Sequence, residues 1–424
     1  MAASLSATQW QAHALERVFR SRLPTPLAQY AAEFSAGLIA ALPSAYAPEP
    51  AAVAAVLVHL TSFEQVTAWA VKNGHWPVPD LRETQFLPIA AFADLSVPKL
   101  ATMAQLGDWL GLSQERLAYL ADTQARHEEH GETAINHYHY VLQRKKGPGL
   151  RLIEAPKQRL KAAQHQILRQ MLDPLPVHDD AYGFVRGRSC QAHAARHAGT
   201  QMVVSFDMRQ FFPSISAGRV FGLFRCLGYP SAVAHHLTGL CTSATPPRIL
   251  QRLPYADRVV YRAAHLPQGA PSSPALAYHV AFRLDRRLSA LADSLDATYG
   301  RYADDLSFSG DRRITEPLMR LVPQILREEG FCLNPSKTRA MPQTARQSVT
   351  GIVVNQHLNI ARGQYDRLKA VVHACGKPDD SRLADPVFRG RLEGQIGWVA
   401  SLNRARGAKL QALFNTALDG ALGG

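Results

Sequence analysis

At 424 residues the chain is too long for one compact core, so two or three units are expected, and 46% hydrophobic with 19% charged residues describes a globular protein. The longest apolar run, AAVAAVLV at 51–58, falls far short of the ~20 residues of a membrane span. MAASLSATQW lacks the pattern of a signal peptide, and five scattered cysteines without CxxC spacing argue against structural zinc, so a cytoplasmic protein with no membrane contact is expected. The net charge of +13 is uneven: residues 1–130 hold 8 Lys+Arg against 12 Asp+Glu, leaving 39 against 22 for the rest, the footprint of a polyanion-binding region.

Residues 1–95 are Ala/Leu-rich with repeated prolines and read as helices with Pro-marked breaks. In TMAQLGDWLGLSQERLAYLAD, Leu106, Leu110, Leu117 and Leu120 fall at helical spacing, with Ser113 as an N-cap after a turn at Gly111. Two readings stand there: helical packing, and a helix-turn-helix, although SQERLAYLAD offers a DNA groove only Arg116 as a cation. HYHYVLQRKKGPGLRLIEAP alternates, turns at Gly147-Pro148-Gly149 and alternates again, as a β-hairpin with a basic tip. KQRLKAAQHQILRQML is an amphipathic basic helix, MVVSFDM a buried strand, and SPALAYHVAFRLDRRLSALADSL helical. Residues from about 364 to 418 read as helical and basic. Strands and helices without regular βαβ alternation predict an α+β fold.

RYADDLSFSG at 301–310 sets Asp304 beside Asp305 within a run of β-formers, where neither carboxylate is favoured. Asp207 likewise ends the run MVVSF. If the two strands are neighbours, three carboxylates meet at one sheet edge, and a cluster of this kind stays ionised only with cations. A solvated turn with an unrelated strand-end aspartate is the alternative on these residues alone.

FDMRQFFPSI (206–215), PQGAPSSPALA (267–277), YADD (302–305), GFCLNPSKTR (330–339) and VTGIVVN (349–355) occur in that order. Together they resemble the palm motifs of reverse transcriptases over about 131–415. VTGIVVN, AYGFVRGRSCQAHAARH (181–197) and FRGRLEGQIGWVASLNRARGAKLQALF are similar to elements of bacterial retron reverse transcriptases. Two positions depart from the retron pattern: His193 stands where an Asn begins the Asn-Ala-x-x-His element, and Tyr278 where Asn is usual.

The resemblance implies a right-hand polymerase with fingers, palm and thumb behind a helical N-terminal extension. Its expected divisions are 1–130 (extension), 131–363 (fingers and palm) and 364–424 (thumb). It implies that Asp207, Asp304 and Asp305, with the carbonyl of Met208, hold two Mg²⁺. Phe212 is expected to exclude a ribose 2′-OH, with Phe211 as the core alternative. Gln268 and Gly269 are expected beside the nascent base pair, and Arg151, Lys157 and Arg159 on a triphosphate or template. Lys337 is the candidate proton donor to pyrophosphate. Arg404, Arg406 and Lys409, in a thumb that also carries Arg389, Arg391 and Trp398, are expected to bind RNA. His193 and His197 are spaced i, i+4 without an HExxH glutamate, and read as nucleic-acid-contacting or surface residues rather than zinc ligands. HYHY at 137–140 reads as strand alternation.

The expected activity is RNA-directed DNA synthesis on a cognate structured non-coding RNA, with dNTPs as substrates and a covalently RNA-linked DNA as product. The family works in antiphage defence with a separately encoded effector, for which the extension is a candidate dock. The rival readings are a defence-associated or group-II-intron-like reverse transcriptase, and a helix-turn-helix binding protein with an inactive polymerase domain.

Overall fold

The computed structural model describes residues 10–42, 50–74, 84–123, 136–144, 150–377 and 379–422. Helices α1 (Ala12–Arg22), α2 (Ala31–Ala41), α3 (Pro50–Val58) and α4 (Thr61–Lys72) come first. Leu15, Phe19, Phe34, Leu38, Val53 and Leu57 close a core of their own there, with the Phe19 and Phe34 rings 5.2 Å apart. Helix α5 (Met103–Leu110) opens on a capping box between Thr102 and Gln105 and stops at Gly111, whose φ of 65° suits glycine. Helix α6 (Gln114–Ala121) is capped by Ser113, whose hydroxyl accepts the Arg116 N–H.

Strands β1 (Tyr138–Arg144) and β2 (Leu150–Pro156) pair antiparallel, while the expected Gly147-Pro148-Gly149 tip lies outside the described residues. Then follow α7 (Gln158–Ile167), α8 (Cys190–Ala195), β3 (Met202–Arg209), α9 (Ala217–Cys226) and α10 (Ser231–Cys241). Helices α11 (Ser273–Val280) and α12 (Phe282–Asp293) break at Ala281, in the stretch read as one helical run. Next come β4 (Thr298–Tyr302), β5 (Asp305–Gly310), α13 (Thr315–Glu328), β6 (Cys332–Leu333), β7 (Arg339–Pro342), β8 (Ser348–Val349) and β9 (Ile352–Val353). Helices α14 (Arg362–Cys375), α15 (Pro386–Leu402) and α16 (Arg404–Leu422) end the described chain.

The chain forms two interleaved compact units, Met1–Leu175 with Phe212–Val280, and Pro176–Phe211 with Ala281–Gly424. In the first, α6 buries Leu117, Leu120 and Ala121, and Gly239 of α10 comes so close that a Cβ there would lie 2.1 Å from the Ala121 carbonyl oxygen. Trp109 of α5 donates its indole N–H to Gln170 at 2.9 Å. The α5–α6 pair is therefore packed against its own unit, which favours the packing reading over DNA recognition.

In the second unit the sheet runs β4-β5-β3-β6, with β7 also on β3, all antiparallel. Its core includes Val203, Phe206, Tyr299, Leu306 and Phe308. The β8–β9 hairpin turns through Thr350 and Gly351, both at positive φ (48° and 83°), the demand of a tight two-residue hairpin and the reason for a glycine in VTG. Helices α14–α16 share a core of Leu368, Val372, Ile396, Val399, Leu410 and Phe414. The observed class is α+β.

Candidate active site

Strand β3 carries Asp207 near its C-terminal end, after the largely buried run Met202–Phe206 and before Met208 and Arg209, which pair with β6. Asp207 is opposite Asp305 in the β3–β5 ladder, and Tyr302 is opposite Asp305 in the β4–β5 ladder. Directly opposed residues project on one face, so Asp207 and Asp305 share a face. Ala303 and Asp304 form the two-residue turn between β4 and β5. Ala303 sits at φ +57°, a left-handed conformation that costs an L-residue roughly 1–2 kcal/mol. The turn is tied down by the Met208 N–H, which donates to the Asp304 carbonyl at 2.9 Å.

Asp207 is nearly buried, and each of its carboxylate oxygens accepts a hydrogen bond. Lys337 Nζ donates to Oδ2 at 2.7 Å and Asn334 Nδ2 to Oδ1 at 2.8 Å. The Asn334 backbone N–H also donates to the Asp207 carbonyl at 2.8 Å, so NPSK is fixed to β3 by three bonds. Burial works against the Lys337 charge, but the contact with Asp207 and the nearby Asp304 and Asp305 outweigh it and raise its pKa. Asp305 is solvent-accessible by surface, yet its carboxyl sits in a crowded place. Desolvation first, then Asp304 and Asp207, push it up to about 7 against the pull of Lys337. A cation beside Asp305 would relieve that crowding.

The donors are hard oxygens of the kind magnesium takes. Lys337 supplies the positive charge on Asp207, and the raised Asp305 records the surplus negative charge that a divalent ion would relieve. Among the described residues no three His, Cys, Asp or Glu side chains are already gathered as a metal shell. The residues fit the ion in kind, with Asp207 held by Lys337 and Asn334.

The expected site residues divide between the units. Asp207, Met208, Asp304, Asp305 and Lys337 come together in the second. In the first, Arg151, Lys157 and Arg159 are exposed on β2 and at the start of α7. Gln268 and Gly269 are fastened to β2: the Glu154 N–H donates to the Gln268 carbonyl at 2.9 Å. Gly269 has φ +131°, and a Cβ there would lie 3.0 Å from Ile153 Cγ2 and 3.1 Å from the Glu154 carbonyl oxygen, so only glycine fits. Phe212 is half-buried. Phe211 belongs to the core, its ring 5.6 Å from Phe331 and 5.8 Å from the Arg301 guanidinium carbon.

One expectation needs correction. His193 and His197 are fully buried, not surface residues. They pack against Gly300 of β4, where a Cβ would lie 2.7 Å from His193 Nε2 and 3.3 Å from His197 Nε2. His193 is stacked near Tyr302 at 6.2 Å, and His197 Nδ1 is 2.8 Å from Ser309 Oγ. Burial pushes His193 down to about 4 and His197 well below its ordinary value, so both are neutral near pH 7. Of the three cations expected to bind RNA, Arg406 is half-buried, donating to Asn359 at 3.1 Å and lying 4.9 Å over the Tyr365 ring. Arg404 and Lys409 are exposed. Arg367, Arg391, Gln395 and the exposed Trp398 line a groove of about 500 Å³ between α14 and α15.

Residues that the motifs did not point to also build the sites. Arg301 and Asp285 are buried beneath the YADD turn, and Glu154, Thr245 and His265 are buried beneath Gln268. Glu154 accepts from the Thr245 hydroxyl at 2.8 Å, and its other oxygen is 2.8 Å from His265 Nε2. Only Arg301 and Glu154 gave a signal in the sequence, as charges within strands; Asp285 lies on a charged helix, and Thr245 and His265 lie outside the strands.

A family model described as reverse transcriptase (RNA-dependent DNA polymerase) matches residues 143–354. That span contains the sheet, the three aspartates and the Gln268 loop, and the chain belongs to the reverse transcriptase family. Among its relatives, the retron Mx65 reverse transcriptase of Myxococcus xanthus is 39% identical over 282 residues, covering 65% of this chain and 64% of that protein. The retron Mx162 reverse transcriptase of the same organism is 35% identical over 340 residues, covering 75% and 68%. The retron Ec86 reverse transcriptase of Escherichia coli is 30% identical over 310 residues, covering 71% and 87%. Within the family, the chain is a bacterial retron reverse transcriptase. Among the described residues, no helix is long and apolar enough to cross a membrane.

Proposed function

We propose that the chain copies part of a cognate structured non-coding RNA into DNA that remains joined to the RNA, from dNTPs and an RNA hydroxyl primer. The observation that carries this reading is the sheet edge at which Asp207 faces Asp305, with the Asp304 carbonyl bonded to Met208, inside the matched reverse transcriptase region. Asp207, Asp304 and Asp305, with the Met208 carbonyl, would hold two Mg²⁺, which when bound supply Lewis-acid stabilisation of the charge that develops on the phosphoryl group. Lys337 donates a proton to departing pyrophosphate once it leaves Asp207. Arg151, Lys157 and Arg159 bind the triphosphate or the template, and the Gln268–Gly269 loop seats the nascent base pair. Phe212, the half-exposed ring of its pair, excludes a ribose 2′-OH.

In this reading the sheet is the palm, the β1–β2 hairpin belongs to the fingers and α14–α16 form the thumb that binds the RNA. The helical residues before 130 dock a separately encoded effector or the RNA scaffold, in an antiphage role suggested by the retron resemblance. Asp304→Asn with Asp305→Asn is expected to reduce DNA synthesis by at least a thousandfold. Removing the crowded charge should leave the melting temperature unchanged or higher in EDTA. Primer extension and thermal melting on the same preparation check this, and synthesis near the wild-type rate would refute the metal assignment.

A further inference from the structure

Arg301 is 1% exposed, and its guanidinium is fully committed within the second unit. Nε donates to Asp285 Oδ1 at 2.7 Å and Nη2 to Asp285 Oδ2 at 2.6 Å, a bidentate fork. The remaining terminal nitrogen, Nη1, donates to the carbonyl of Ala303 at 3.1 Å. Ala303 is the left-handed residue of the YADD turn. Asp285 does not move freely, because the Tyr299 hydroxyl also donates to its Oδ1 at 2.9 Å and α12 carries it on a buried stripe with Leu284, Leu288 and Ala292.

A second element presses on the same turn. The Arg301 N–H donates to the Asp180 carbonyl at 2.8 Å, and its carbonyl accepts the Tyr182 N–H at 2.7 Å. This lays residues 180–183 alongside β4. Gly183 then lies flat on the turn, and a Cβ there would be 2.3 Å from the Ala303 nitrogen. A strained residue persists only where its surroundings over-determine it, and here a guanidinium holds its carbonyl while a glycine backbone closes off the space beside its nitrogen.

We propose that Arg301, anchored by Asp285, is a positioning residue that sets the YADD turn so that Asp304 and Asp305 are presented for metal and nucleotide. The proposal rests on the reading of those aspartates as metal ligands. A purely structural ion pair differs in what rescues it. Replacing both members of a buried pair with uncharged side chains is often neutral for stability, whereas removing one is costly. Arg301→Met with Asp285→Asn keeps an acceptor for Tyr299 and leaves no unpaired charge, but it removes the donor to Ala303.

The test measures three quantities: melting temperature, Mn²⁺ affinity by paramagnetic resonance titration of the protein without nucleic acid, and kcat and KM for dNTP on a preformed primer-template. Leu318→Ala in the core of the same unit serves as a control for lost stability alone. For Arg301→Lys and for the Arg301→Met/Asp285→Asn pair, Mn²⁺ affinity should fall at least fivefold. Their kcat should fall at least tenfold, with KM within about threefold. Gly183→Ala, which intrudes on the turn from the other side, should do the same. The Leu318→Ala control should lose melting temperature and keep its Mn²⁺ affinity. If the double variant regains wild-type Mn²⁺ affinity and kcat, the pair is merely structural and the proposal fails. Asp304→Asn separates the two layers: if that variant still binds Mn²⁺ and synthesises DNA normally, the reading of the aspartates is wrong, whatever Arg301 does.

Discussion

Two buried side-chain pairs, Arg301 with Asp285 and Glu154 with His265, lie beneath two loops, one in each compact unit, and they hold those loops differently. Under the YADD turn, the Arg301 guanidinium bonds the turn itself through the Ala303 carbonyl. Under the Gln268–Gly269 loop, the Glu154 carboxylate never touches the loop. It bonds Thr245 and His265, while the backbone N–H of Glu154 reaches Gln268. His265 is held in turn by the Ala263 carbonyl, 2.8 Å from Nδ1. In one region the side chain is the clamp; in the other it only fixes the strand whose backbone is the clamp. Conservative substitution should therefore fail in the first region and succeed in the second.

The strongest contrast lies between Arg301→Lys, expected to lose at least tenfold in kcat, and Glu154→Gln, expected to stay within about twofold of wild type. A glutamine can accept from Thr245 and donate to the imidazole, so each partner keeps a hydrogen bond. Glu154→Leu takes the partner from two buried groups, the Thr245 hydroxyl and His265 Nε2, at a cost of about 1–3 kcal/mol each. Steady-state extension should show its KM for dNTP rising about tenfold with a smaller change in kcat, since the loop rather than the carboxylate edge is loosened. A kcat loss for Glu154→Leu as large as that of Arg301→Lys would erase the distinction between the two devices.

The difference also explains what was legible in the sequence. The adjacent carboxylates raised the question, because such a pair is locally unfavourable in a run of β-formers. A solvated turn explained them equally well until the ordered series of motifs around them was read. Arg301 sits two residues before the turn within the same motif, but its meaning depends on Asp285, 16 residues earlier on a helix, and on the backbone of Gly183. No local period links these three. The i, i+4 spacing of His193 and His197 brought the two rings together, 5.2 Å apart, and did not show which way they turned. Gly300, by lacking a Cβ, makes the floor against which they are buried, and strand texture does not reveal that. The helix-turn-helix pattern of α5–α6 was real as local structure, and Gly239 on another helix decided what it packed against.

Strand β4 extends the comparison, since a permanent charge supports it at Arg301 and neutral imidazoles support it at Gly300. A histidine whose folded pKa is depressed binds its proton more readily when unfolded. Its contribution to stability is therefore present above the unfolded value and lost as pH falls through the window down to the folded one. For His193 that window runs from about 6.5 to about 4, worth roughly 3 kcal/mol in full. Asp305, raised to about 7, acts with the opposite sign, so the comparison needs a variant altered only at the imidazole. His193→Phe should flatten the acid-side loss of melting temperature between pH 6.5 and 4 and change little at pH 8. Superimposable wild-type and variant pH curves would mean that the buried ring does not govern acid stability.

The smallest effects should come from cations outside any buried pair. In α16, Arg406 is held by Asn359 and the Tyr365 ring, whereas Arg404 and Lys409 face solvent. A cation already bonded within the chain contributes to shape, while one left in water can exchange its counterions for phosphates. Each phosphate contact contributes about 0.7–0.9 to the slope of log affinity against log salt concentration. Arg404→Ala with Lys409→Ala should therefore lower that slope by about 1.4–1.8 on the cognate RNA and weaken binding most at low salt, with an unchanged melting temperature. Arg406→Ala should do the reverse, lowering the melting temperature and leaving the slope within about 0.3 of wild type, because it removes a packed guanidinium rather than a phosphate contact. Fluorescence titrations at four or more salt concentrations, paired with melting curves, separate the two. If Arg406→Ala lowered the slope as much as the exposed pair does, its contacts with Asn359 and Tyr365 would have to give way when RNA binds, and the line drawn here between committed and available charge would not hold for this helix.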